Sequence, residues 1–421
     1  MLGEILIYIS IYIACVSLSF YTLSYIKNLN KKYPLFEENE LPSLSIIIPA
    51  YNEEEYIKKT VESALNFDYP KDKFEVIVID DGSKDKTYKI ARSIKNKLLR
   101  VYTKENEGKA KALNFGISLA KGDFIITMDA DTTAEKNAAK EMIRYFKDKE
   151  VMCVTPSIIL EKPKTIWQKL QQGEYLIGIY LRKVYHGLNS IHITPGAFSA
   201  YRKSFFEKHG GFIGIEKNNL TEDLEMSLRI HSLGFKIANA QKAKVYTIGP
   251  KNLSELTKQR KRWYVGLIKN TFSYKRLFNR KYGDLALILL PLAWLSVFFS
   301  IFLFFFFLFN LIKSSYKEYL ILKSFNFNII ERNNFLFEKD ILSKAIERTI
   351  SSFFSRPIFL FAVFFIFITI IYALYARRKI GKIEKLSFGL ILFILCFSIF
   401  YSIWWIISIL NSIFSKKHRW E

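Results

Sequence analysis

The side chains best able to do chemistry in this chain lie in five short strings, in this order: Asp80-Asp81-Gly82, Gly108-Lys109, Asp129-Ala130-Asp131, Thr221-Glu222-Asp223 and Gln259-Arg260-Lys261-Arg262-Trp263. Asp129 and Asp131 are two apart, so in an extended strand end both carboxylates point to the same side. Such a pair holds a divalent cation whose other ligands are substrate phosphates, the usual arrangement for Mg2+; a solvated turn leading into Thr132 is the plainer alternative. Gly108-Lys109 opens a helical pattern, where backbone N–H groups and the helix dipole favour anions and Lys109 and Lys111 add charge, unless both simply form a basic surface. Asp80 and Asp81 offer acceptors to a base edge, or else a turn capped through Ser83 or Asp85. Asp223 falls in the first turn of a helical pattern, which suits a carboxylate. Gln259, Arg262 and Trp263 share one helical face, setting a planar cation fit for pyrophosphate beside a flat aromatic surface. A basic amphipathic helix at a membrane surface would use the same residues, and Asn252 with Glu255 provides its start signal.

These strings need elements to hold them. Residues 44–48, 74–79 and 124–128 are short apolar runs of the kind that form buried parallel strands. Between them, residues 53–65 place Ile57, Val61, Ala64 and Leu65 at helical spacing, and residues 109–120 do so with Ala112, Leu113, Ile117 and Ala120. The expectation is an α/β, Rossmann-like sheet with the acidic strings beyond the carboxyl ends of its strands, where ligands collect in open parallel sheets.

Around this unit the composition changes. Half of the 421 residues are hydrophobic and 38 are phenylalanine, which suggests a soluble domain joined to membrane helices. Residues 2–26, 285–312, 357–375 and 386–414 are each long and apolar enough to span a bilayer. The first has no basic residue ahead of its apolar run and is expected to be a retained anchor. Lys27, Lys31 and Lys32 follow it, and Arg377, Arg378, Lys379, Lys382 and Lys385 separate the last two spans. Both clusters point to the cytoplasmic side. The N-terminus then lies outside and the soluble domain inside; the C-terminus also comes out outside, where Lys416, Lys417 and Arg419 fit poorly. The net charge of +23 is spread along the chain and gathers partly beside apolar spans, which favours anionic lipid and nucleotides over nucleic acid. Three dispersed cysteines indicate neither a disulfide framework nor a zinc site, and His186, His192, His209 and His231 have no ligand spacing.

In order and spacing the five strings resemble the membrane-integrated family 2 glycosyltransferases, the group of cellulose, chitin, hyaluronan and poly-N-acetylglucosamine synthases. The likeness runs over residues 44–270 by motif and into the C-terminal third by architecture. It implies a GT-A type domain inserted between transmembrane helices: an anchor at 1–27, a cytoplasmic catalytic domain at 42–250, interfacial amphipathic helices at 251–282 and about three spans within 283–415. It implies that Asp81 holds uracil with Pro49, Ala50, Tyr51 and Glu53, that Lys109 lies near the nucleotide, and that Asp131, with Asp129, binds Mg2+ or Mn2+. Gln259 and Arg262 then serve the donor diphosphate. Asp223 deprotonates the acceptor hydroxyl, so that transfer inverts the anomeric centre, while Trp263, Glu222 and the loop carrying Gly196 and Phe198 face the acceptor. The activity implied is transfer of N-acetylglucosamine or glucose from a UDP-sugar to a growing β-linked polysaccharide that leaves through the spans of a multi-pass cell-membrane protein. The alternative is transfer of one sugar to a lipid, as in ceramide glucosyltransferase. A silent scaffold or transporter component is disfavoured by the three intact acidic strings.

Overall fold

The computed structural model describes residues 2–28, 33–34, 36–214, 219–330, 357–380 and 386–414. Its elements run α1 (Leu2–Lys27), β1 (Leu44–Ala50), α2 (Ile57–Leu65), β2 (Phe74–Asp80), α3 (Thr87–Ser93), β3 (Leu99–Thr103), α4 (Lys109–Leu119), β4 (Phe124–Met128), β5 (Thr133–Ala134), α5 (Ala138–Ile143), β6 (Val151–Leu160) and α6 (Ile166–Gly187). There follow β7 (Phe198–Arg202), α7 (Lys203–His209), α8 (Glu222–Ser232), β8 (Lys236–Thr247), α9 (Leu253–Ser273), α10 (Leu290–Ser324), α11 (Pro357–Ile380) and α12 (Leu386–Phe414).

The eight strands form one sheet in the order β3-β2-β1-β4-β7-β6-β8-β5. β1 pairs in parallel with both β2 and β4, in register from Leu44 opposite Phe74 and Phe124. This parallel half is the Rossmann-like unit expected from the three apolar runs. Successive residues of each strand feed opposite layers: Ile46, Ile48, Val76, Val78 and Ile126 pack on one side, and Ile47, Ile77, Ile79 and Ile125 on the other with Ala112 and Leu113 of α4. The second half is mixed, since β7 runs antiparallel to both β4 and β6 while β6 and β8 are parallel. Nothing in the first three runs foretold it.

Two element boundaries differ from expectation. The helix expected over residues 53–65 begins only at Ile57, because Asn52 adopts a left-handed conformation and the Glu53 and Glu54 amides donate to Thr87 Oγ1 and Asp85 Oδ2. The apolar helix expected to stop at residue 312 continues to Ser324, as no Gly or Pro interrupts residues 313–324. With the π turn before it, this helix covers Leu285–Ser324, 40 residues, or roughly 60 Å, twice a hydrocarbon core.

Among the described residues, Ile5–Lys27, Leu285–Ser324 and Cys396–Phe414 are helices long and apolar enough to cross a membrane. The run expected at 357–375 is helical within α11, and its Val363–Tyr372 stretch is a shorter apolar segment. Lys31 and Lys32, the loop basic residues Lys382 and Lys385, the terminal Lys416, Lys417 and Arg419, and most of the connection after Ser324 lie outside the described residues.

The apolar helices dock on the sheet domain through α6 and α9. α6 starts at a capping box between Thr165 and Gln168. α9 starts where Asn252 Oδ1 accepts from the Glu255 amide at 2.9 Å, at the start signal read in the sequence.

Candidate active site

The ends of β1, β2 and β4, the loop before β7 and the starts of α4 and α8 meet in one place. Asp129 and Asp131 follow β4, but in a turn rather than an extended strand end: the Thr132 amide returns to the Asp129 carbonyl at 3.1 Å. The β4–β7 ladder stops at Met128, so the chain is released to turn, and Thr60 Oγ1 secures the buried Ala130 carbonyl at 2.7 Å. The two carboxylates still face common ground with Glu53. Burial and the charges of Asp131 and Asp129 push the Glu53 carboxyl up to about 7, and burial with the Asp129 charge pushes Asp131 up to about 6.

Among the described residues no three His, Cys, Asp or Glu groups form a complete metal cage. Carboxylates crowded enough to retain protons nevertheless fit a divalent cation, whose charge inverts the local balance and whose remaining ligands come from phosphate oxygens.

Lys109, the first residue of α4, is the hub of the site. Its Nζ lies 2.5 Å from Asp129 Oδ1 and 3.6 Å from Glu222 Oε1, and donates to the Gly196 carbonyl at 3.4 Å. Burial disfavours its charge, but Asp129 and Glu222 outweigh that and hold it above the usual lysine range. The sequence pointed to a cation for the nucleotide here; the structure makes it a tie between the Asp129-Ala130-Asp131 string and the Thr221-Glu222-Asp223 string.

Asp223 sits in the first turn of α8. Its Oδ2 accepts from the Gly196 amide at 2.9 Å and its Oδ1 from the Leu224 amide at 2.8 Å. Burial lifts its carboxyl above the ordinary range and Glu222 adds to this, while Lys109 and Arg262 oppose it. A partly basic carboxylate with fixed oxygens is what proton abstraction requires. Behind it, Thr194 Oγ1 and Ser227 Oγ both donate to the Asp223 carbonyl, at 2.8 and 2.9 Å. Sequence reasoning missed these supports: Thr194 opens the string that carries Gly196 and Phe198, but Ser227 lies 33 residues away and only the fold brings the two hydroxyls together. Gly196 is needed where it is: an added Cβ would come within 3.0 Å of Asp223 Oδ2 and 3.3 Å of Lys109 Nζ.

Asp81 is buried, and its oxygens accept from Lys104 Nζ at 2.9 Å, the Gly108 amide at 2.8 Å and the Glu107 amide at 3.2 Å. A carboxylate has about four acceptor positions, so Asp81 shapes the 104–108 loop and retains one for a base edge. Pro49 and Ala50 need correction as pocket-lining residues. Both are buried inside β1, and the Ala50 carbonyl is taken by the Asp81 amide at 2.8 Å. Tyr51, 43% exposed, is the residue of that string that reaches outward.

Phe198 also needs correction. Its ring is fully buried and meets Phe67 edge-on in the core, because β7 turns that position inward, so it cannot touch an acceptor. Of the loop expected there, Gly196 is the part that reaches the site.

On α9, Gln259 Oε1 is buried with no hydrogen-bond partner among the described residues, an acceptor to which an incoming donor group could bond. Arg262 lies close enough to Asp223 to act on its charge. Trp263 is half-buried, and the guanidinium of Arg260 covers its ring at 4.3 Å. Arg260 and its partner Glu174 were not singled out in the sequence. The clue available was the polar run Gln171, Gln172 and Glu174 within an otherwise amphipathic helix.

Residues 45–210 match the family model described as glycosyl transferase family 2. The chain is 33% identical over 277 residues to a poly-beta-1,6-N-acetyl-D-glucosamine synthase of Staphylococcus aureus, a match covering 63% of this chain and 66% of the relative, just under two thirds of its length. It is 32% identical over 250 residues to the probable glycosyltransferase YdaM of Bacillus subtilis, covering 56% and 58% of the two chains. Among solved structures, the mannosyltransferase PcManGT of Pyrobaculum calidifontis, in complex with GDP-Man and Mn2+, is similar in fold with a TM-score of 0.51 at 22% identity, over 64% of this chain and 76% of that one. Residues 45–210 thus form a domain that matches glycosyl transferase family 2.

Proposed function

We propose that the chain is an inverting, metal-dependent membrane glycosyltransferase that moves N-acetylglucosamine from a UDP-sugar to a growing β-linked polysaccharide. The observation that carries this reading is the junction at Lys109, which links the carboxylates suited to a metal diphosphate to the buried base Asp223. The relative named as a poly-beta-1,6-N-acetyl-D-glucosamine synthase supports the choice of sugar and of a polymeric product.

In this mechanism Asp223 accepts the proton of an acceptor hydroxyl while that oxygen attacks the anomeric carbon. The bond to the diphosphate oxygen breaks on the opposite face, which inverts the centre. The Gly196 and Leu224 amides keep the carboxylate aimed, and Arg262 and Lys109 meet the negative charge of the leaving group. A Mg2+ or Mn2+ held by Asp131 and Asp129 supplies further neutralisation of the diphosphate when bound.

By the distribution of lysine and arginine the domain faces the cytoplasm, with α1, α10, α11 and α12 in the membrane. Reporters at Arg378 and in the domain carrying Asp129 should both read cytoplasmic; one at Asn334, which lies outside the described residues, should read the other side.

The test of function is incubation of the full chain, in membranes, with a panel of radiolabelled UDP-sugars, followed by sizing of the product. A ladder made from UDP-N-acetylglucosamine supports the reading. A single labelled glycolipid would move the acceptor to lipid, and no UDP release from any donor would overturn the activity.

A further inference from the structure

We propose that Arg260, outside the residues so far given a role, is a positioning residue that sets the indole plane of Trp263 and ties it to the apolar helix α12. This rests on the reading of Trp263 as an acceptor platform. Arg260 is 1% exposed, one of the largest fully buried side chains. A buried guanidinium is costly without a partner, and its Nη2 finds Glu174 Oε2 on α6 at 2.6 Å. Its Cζ lies 4.3 Å from the Trp263 ring centroid and 5.8 Å from that of Trp404 on α12, both within cation–π range. One planar cation therefore touches aromatic rings from two helices while a third helix holds its charge.

The surroundings make this a rigid seam. Trp404 Nε1 donates to Thr257 Oγ1 at 3.0 Å, one turn before Arg260 on α9. Tyr264 stacks on Trp405 with centroids 4.5 Å apart and planes within 6°. With Arg260 on one face of Trp263, a flat ring could stack only on the opposite face. Lysine would keep the charge but not the plane, since its ammonium is a point charge on a flexible stem.

The test uses the full chain in lipid, with UDP-N-acetylglucosamine as donor and a short N-acetylglucosamine oligomer as acceptor. R260K should raise the acceptor KM about tenfold or more while UDP affinity stays within twofold, and E174Q, which retains a hydrogen bond, should do so less. R260K should also change the near-ultraviolet circular dichroism, and that change should vanish in a W263F background. Unchanged dichroism and acceptor KM in R260K, or a dichroism change that persists in W263F, would overturn the proposal. Should R260K fold poorly, E174Q carries the same comparison. The dichroism cycle separates the two ideas: if the wild-type chain released no UDP, the glycosyl-transfer reading would fail while the cycle still decided whether Arg260 sets Trp263.

Discussion

The strand ends and the seam beneath Trp263 both bury charge, with opposite balance. At the strand ends Asp129, Asp131, Glu222 and Asp223 gather around a single ammonium, Lys109, with Glu53 beside Asp131 and Asp129, and three of the five carboxyls are pushed upward. In the seam one guanidinium meets one carboxylate at 2.6 Å and two indoles. Excess charge of one sign suits a place that takes an oppositely charged ligand, whereas neutralised charge suits a place where elements stay docked. The comparison also explains why Lys109 reads as a phosphate cation in the sequence yet sits among carboxylates: its ammonium bridges Asp129 and Glu222.

The sharpest way to break this contrast is at the base. Asp223→Asn keeps the shape and removes the proton acceptor, so transfer should fall by at least about 10²-fold while UDP-sugar binding, measured by calorimetry, persists. Near-normal turnover would remove Asp223 from the reaction.

The next effect tests the excess negative charge. Glu53 and Asp131 are raised from ordinary values of 4.5 and 3.8 to about 7 and about 6, so the folded state holds their protons more tightly than the unfolded chain. Their contribution to stability is fully present below about pH 4 and is lost as pH rises through 6 and 7. A divalent cation must displace those protons, so the thermal stabilisation by Mn2+ should grow from pH 5 to pH 8. At a hundredfold excess over its Kd the cation adds about 2.7 kcal/mol, and Asp131→Ala should abolish most of that shift. A shift independent of pH would mean that these carboxylates are not where the cation binds.

On the seam side, Trp263→Ala should lose about 1–3 kcal/mol of acceptor interaction, the usual scale for stacking on an aromatic face, with donor affinity retained. If product length and rate are normal but membrane association weakens, Trp263 is an interfacial anchor.

A smaller effect is expected at Gly196, where alanine forces Asp223 or Lys109 to give by a few tenths of an ångström. That should reduce kcat by up to about tenfold without altering the melting temperature. The smallest concerns Phe198→Leu, which should cost about 1 kcal/mol of stability and leave the acceptor KM alone. A raised KM would restore the acceptor role that its burial denies.

Much of the catalytic half was legible because its signals are local. The runs that became β1, β2 and β4, the start of α9 at Asn252 and the acidic strings at strand ends each follow from residues within a few positions of one another. Local reasoning failed where a partner decides the outcome. Asp129 and Asp131 looked like a strand end because strand alternation alone brings them together, but the ladder with β7 ends before them and the chain turns. Phe198 looked like a loop residue because the antiparallel strand beginning there has no signal of its own, and Pro49 and Ala50 looked like pocket residues beyond the strand because the length of β1 is set by its pairing with β2.

The sequence by itself determined the domain that matches glycosyl transferase family 2, its parallel strands, the order of the chemical groups and the apolar segments that flank them, since periodicity, capping residues and motif spacing are properties of neighbouring residues. Only the tertiary structure decided which charges meet. The ammonium of Lys109 between Asp129 and Glu222, the Gly196 amide on Asp223, and the Arg260 guanidinium between Glu174 and the Trp404 indole join residues 20 to 144 positions apart. Such meetings depend on how a mixed sheet and docked helices close in space, and no local pattern encodes that closure.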